Sequence, residues 1–142
     1  MKKIYFLLAS LMVFFSCSNN DQNSQNNLQG KWKLTEMRGN MPNSEKTGSD
    51  MEWQEFYLFN ADGTFIKSRE KNGLVTEVSG MYKFVDSLDR NLIELVHKSD
   101  NEIIGNCYSN SLKEEMYFQS ENIFFSSWEA CDGPGLKYEK VN

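Results

Sequence analysis

The sequence predicts an all-β domain of antiparallel strands, a sandwich or a barrel, behind a short leader. Three observations predict it. About nine short runs alternate apolar and polar residues, with Gly, Asn, Asp and Ser turns between them at regular spacing. Beyond residue 27 no stretch shows a convincing amphipathic helix, although Ser109 to Glu115 has room for one helical turn. Aromatic residues make up 13% of the chain, and several of the runs carry two or more of them, which suits a pleated, half-buried surface.

The leader comes first. Lys2 and Lys3 give a positive start, Ile4 to Phe15 is apolar but for Ser10, and small Ser16 precedes Cys17. Such a run is too short to span a membrane stably and reads as a signal peptide, residues 1–16. A cysteine placed straight after it matches a bacterial lipoprotein signal. Its thiol takes a diacylglycerol, and cleavage frees its amine for a further acyl chain such as palmitate. Each buried methylene contributes about 0.8 kcal/mol, so two or three chains anchor stably. Ser18 to Asn27 holds no apolar residue and reads as a polar tether, so that residues 17–27 form the lipidated Cys17 with its linker and residues 28–142 the domain.

The domain opens on Gly30-Lys31-Trp32-Lys33-Leu34-Thr35-Glu36-Met37. Trp32 and Leu34 share one face of a strand, Lys31, Lys33 and Thr35 the other. Gly30 permits a sharp turn or a close backbone approach before it. Glu36 interrupts the alternation, which predicts a bend or bulge. Met37 to Asp50, rich in Gly, Pro, Asn and Ser, is expected to be a loop. Strands follow at Glu52 to Asn60, Thr64 to Lys71 and Leu74 to Val85, the last two joined by Asn72-Gly73, a type I′ hairpin signal. Gly80 shares a face with Val78, Tyr82 and Phe84, where it eases coiling. Further strands are expected at Leu92 to His97, Ile103 to Ser109, Glu114 to Gln119, Ile123 to Trp128 and Leu136 to Val141, with a loop at Glu129 to Gly135.

Composition narrows the functions. Loss of the leader with its two lysines takes the net charge from −5 to −7, and no basic stripe remains, which excludes nucleic acid as a partner. Of three cysteines Cys17 goes to lipid, leaving Cys107 and Cys131 as an even pair in an exported chain, expected to form a disulfide. His97 is the single histidine and lacks partners at ligand spacing, so no metal is expected. Glu114 and Glu115 face opposite ways along a strand and form no carboxylate pair. No nucleophile elbow, phosphate loop or Cys-x-x-Cys occurs, so the expectation is no enzyme, no catalytic residue and no cofactor.

The leader and tether, Leu28-x-Gly30-x-Trp32, Leu58-Phe59-Asn60-Ala61-Asp62-Gly63-Thr64-Phe65, Gly80-x-Tyr82 and the terminal Tyr138-Glu139-Lys140-Val141 together resemble the lipocalin-like domain lipoproteins of Bacteroidetes. The resemblance covers residues 28–142. It implies an antiparallel up-and-down barrel of about eight to nine strands, with Gly30 and Trp32 as the structural motif that closes its base. It implies a protein held by its lipid in the cell envelope, at an outer membrane and facing either the periplasm or the cell surface. The expected function is binding of a small apolar ligand in or at the barrel, with Trp53, Phe56 and Tyr82 as candidate lining residues. The alternative is an interaction module for an envelope protein, such as an inhibitor of a basic, lysozyme-like enzyme, served by the acidic charge and the loops Gly39–Asp50 and Glu129–Gly135.

Overall fold

The computed structural model describes residues 28–87, 90–108 and 110–141. The expected signal peptide, Cys17 and the expected tether lie outside the described residues. Nine antiparallel strands run β1 (Gly30–Arg38), β2 (Lys46–Thr47), β3 (Gln54–Phe59), β4 (Thr64–Lys71), β5 (Leu74–Ser87), β6 (Arg90–His97), β7 (Lys113–Ser120), β8 (Ile123–Ser126) and β9 (Gly135–Lys140). Neighbours in sequence pair in order from β3 to β9, and β1 pairs with both β3 and β9, closing eight strands into an up-and-down, lipocalin-like barrel. β2 is the extra strand, laid on Glu36 and Met37 of β1.

β1 holds the barrel shut because it serves two neighbours along its length. Gly30 to Lys33 pair with β3, and Trp32 to Arg38 with β9. Gly30 turns in at φ 111°, a region that costs other residues a Cβ clash. The expected interruption near Glu36 is a register shift between Leu34 and Glu36 against β9. The extra residue returns Met37 to the interior face, so Trp32, Leu34 and Met37 are all buried although their spacing is not uniformly even. Asn72 and Gly73 both take positive φ, as the type I′ turn requires. At Gly80 a Cβ would sit 2.1 Å from the Val96 carbonyl oxygen and 2.7 Å from the Phe65 ring, so only glycine lets β5 pass there.

Two strand expectations are corrected. The expected strand from Ile103 to Ser109 is absent over its described residues, 103–108. Its backbone groups bond locally or to interior side chains instead of a neighbouring ladder: the Ile103 and Ile104 N–H groups donate to Asn101, the Ile103 carbonyl accepts from Lys67 and Arg69, and the Gly105 N–H donates to Glu114. Conversely, the expected loop after Met37 contains β2 and a 3-10 turn at Gly48–Asp50. Residues 113–115, offered above as part of a helical turn, belong to β7, and β8 ends at Ser126, where a 3-10 helix Ser127–Cys131 begins.

Side chains fill the interior. Trp32, Tyr57, Phe59, Phe65, Phe124 and Tyr138 are at most 2% exposed. Tyr57 lies against Phe59, Phe65, Phe124 and Tyr138 at centroid distances of 5.2–6.1 Å, in tilted, edge-on and stacked arrangements that favour aromatic pairs. At one end Trp32 donates to the Leu28 carbonyl at 2.8 Å and packs on Phe118 and Phe124. A small barrel packed this way is a core rather than a cup.

Candidate functional site

The three residues expected to line a ligand are not brought together. Trp53 precedes β3 on its inner side, with the Arg69 guanidinium 4.1 Å from its ring. Tyr82 also points inward, but toward Phe59, and its hydroxyl donates to the Asn60 carbonyl at 2.8 Å. Phe56 lies on the opposite face of β3, outside the barrel, under the Lys31 ammonium at 4.0 Å. The period of two separates them: inward Trp53, Glu55, Tyr57 and Phe59 leave Phe56 outward. Cys107 and Cys131 do form the expected disulfide, with Cα atoms 5.4 Å apart. Gly30 and Trp32 occupy the structural positions described above.

A groove among the described residues lies on the outer wall. Its volume of about 480 Å³ is within the usual range for small-molecule sites, and it is lined by Arg38, Tyr117, Phe118, Gln119 and Phe125. Tyr117 and Phe125 are directly opposed across β7 and β8, and their rings stack at 5.6 Å with planes 16° apart. Arg38, the last residue of β1, extends its guanidinium to 5.9 Å from the Phe125 ring. Glu129 holds it there, accepting from Nη2 at 2.6 and 2.9 Å and from Nε at 3.3 Å. That hydrogen bonding raises the Arg38 pKa above its ordinary value, with burial opposing it. The pair passes directly over Gly135, where a Cβ would stand 2.6 Å from Arg38 and 2.7 Å from Glu129. Sequence reasoning did not single out these residues. Their signal is that Met116-Tyr117-Phe118 and Phe124-Phe125 place apolar side chains on both faces of their strands, when one face suffices for a core.

The second unusual feature is ionic and lies within the barrel, at the end covered by Ile103–Cys107. Glu55, Lys67, Arg69, His97 and Glu114 are all buried. Lys67 Nζ lies 2.6 Å from Glu114 Oε1 and 3.4 Å from Glu55 Oε1, and Arg69 Nε is 2.5 Å from Glu55 Oε2. Tyr138 and Tyr57 donate to Glu55 and Glu114 at 2.5 and 2.9 Å. His97 Nε2 is 2.8 Å from Glu114 Oε2, and its Nδ1 has no hydrogen-bond partner among the described residues. Burial works to raise the Glu114 pKa, but the Lys67 ammonium and His97 overcome it and bring the carboxyl down to about 2. Burial, reinforced by the neighbouring carboxylates, pushes both tyrosines well above their ordinary value and keeps them as donors. The lone histidine, from which the sequence predicts no metal site, is therefore one member of a buried set of five polar and ionisable residues.

Comparison with protein-family models, characterised proteins and solved structures finds no match. The functional reading accordingly rests on the chain's own residues.

Proposed function

We propose that this chain is a lipid-tethered binding module of the cell envelope that takes a small apolar ligand on the outer wall of its barrel. The observation that carries the reading is the groove beside Tyr117 and Phe125, a mostly apolar surface on a barrel whose interior is occupied by its own side chains, Phe118 among those packed against them. The ligand's apolar body would lie on the aromatic residues, and Arg38 and Gln119 would orient any acceptor it carries. Glu129 already compensates the Arg38 charge, so a neutral ligand is favoured over an anion. The leader of residues 1–16 and the residues about Cys17 support tethering through lipid, as in the lipoproteins that the chain resembles.

N-phenylnaphthylamine, a neutral apolar fluorophore, tests the reading. Its emission should rise on addition of the protein, and Tyr117→Ala with Phe125→Ala should weaken binding at least tenfold while far-UV circular dichroism stays unchanged. Equal binding by parent and double variant would remove the groove from the account.

A further inference from the structure

We propose that the ionic end of the barrel is a peptide-binding site which the oxidised chain fills with its own Ile103–Gly105 segment. Reduction of Cys107–Cys131 vacates it for an aliphatic peptide from another chain. Besides the ion pairs that its members make with one another, this cluster commits three contacts to backbone. Lys67 Nζ and Arg69 Nη2 both donate to the Ile103 carbonyl, at 2.6 and 3.2 Å. Glu114 Oε1 accepts the Gly105 N–H at 2.6 Å. A carbonyl met by two cations, and an N–H two residues later met by a carboxylate, is a readout of peptide backbone independent of side-chain identity. The side chain is read separately: Ile103 is 2% exposed, buried where the segment enters the end of the barrel.

The segment is a guest in the fold. It belongs to no strand, and the eight-stranded closure through β1 and β9 is complete without it. Its occupancy is enforced from outside the site. Cys107, two residues beyond Gly105, is bonded to Cys131. Trp128 is wedged between Gly105 and Gly133, each of which would place a Cβ 2.5 Å from the indole. The connection between the paired strands β6 and β7 already makes the segment an intramolecular ligand, and the staple restricts that connection further and raises its effective concentration, against which a free peptide competes poorly. Cys107 is exposed and Cys131 partly so, within reach of a dithiol reductant. Its thiolate attacks the bridge, a mixed disulfide forms and resolves, and two electrons and two protons pass to the chain. The products are two cysteine thiols and the oxidised reductant. Once the segment leaves, Lys67, Arg69 and Glu114 keep their ion pairs but lose one acceptor and one donor, and the carbonyl and N–H of a replacement peptide restore those bonds.

The test uses the full chain, oxidised and dithiothreitol-reduced, with a fluorescein-labelled peptide of residues 101–107 in which Cys107→Ser prevents disulfide exchange. On reduction, exchange of the Gly105 amide hydrogen should quicken at least tenfold while far-UV circular dichroism persists. The peptide should bind the reduced chain at least tenfold more tightly than the oxidised one, and the same peptide with Ile103→Asp should lose that gain. Equal Gly105 exchange in the two states, loss of the barrel spectrum on reduction, or equal binding of the two peptides would each overturn the proposal.

Discussion

Glu114, a buried residue, accepts hydrogen bonds from Tyr57 and the Gly105 N–H, pairs with Lys67 and lies close to His97. Its folded pKa of about 2 lies below the ordinary 4.5. The ionised carboxylate therefore stabilises the fold fully above pH 4.5, and that contribution is lost as pH falls from there through about 2. The shift corresponds to about 3 kcal/mol. Urea denaturation across this range should show the parent losing stability while Glu114→Gln shows a shallower slope. At neutral pH the substitution should cost about 3–5 kcal/mol, because Lys67 remains buried without its nearest counter-charge. Identical pH profiles would contradict the role. Sequence periodicity placed Glu114 and Glu115 on opposite faces, and one is buried while the other is exposed. Periodicity has no means of showing that Lys67, Glu55 and His97 meet Glu114, because those encounters depend on pairing between strands distant in sequence.

Among the elements, β1 shows what a local pattern can convey. Gly30, Trp32 and the break at Glu36 foretold the entry, the anchor and the bulge, since each follows from the conformational preference of a few adjacent residues. Ile103 to Ser109 shows where the same reasoning fails. Its apolar residues look like a strand, but its backbone partners are Asn101 and side chains from β4 and β7. Gly80 lies between these cases. The sequence reading attached it to coiling, and the structure adds that β6 presents the Val96 carbonyl where a Cβ would stand. Gly80→Ala should destabilise by about 1–3 kcal/mol or more through this overlap, read as a lower denaturant midpoint. The Cys107–Cys131 bridge spans 24 residues. By the chain-entropy relation its removal through Cys107→Ser should lower stability by about 3–4 kcal/mol, checked by denaturation with and without reductant. Insensitivity of the parent to reductant would leave the bridge without a stabilising role.

For the whole molecule, the fold was legible because barrel closure is a collective consequence of many short alternating strands and their turns. The groove was not, because a recess on the outer wall depends on Arg38 of β1 meeting Phe125 of β8 across β9, a proximity that closure alone creates. The proposed tethering belongs to this same scale. Cys17→Ser should abolish palmitate incorporation and shift the protein from the membrane to the soluble fraction, while its thermal unfolding stays as in the parent. Persistent labelling would place the lipid elsewhere. The most direct measurement of the account is amide chemical-shift mapping of the oxidised protein titrated with N-phenylnaphthylamine. The account predicts saturable shifts at Arg38, Tyr117, Gln119 and Phe125, with Tyr57, Leu95 and Met116 of the interior unmoved. Shifts centred on those three interior residues, or no saturable shift anywhere, would contradict binding at the outer wall.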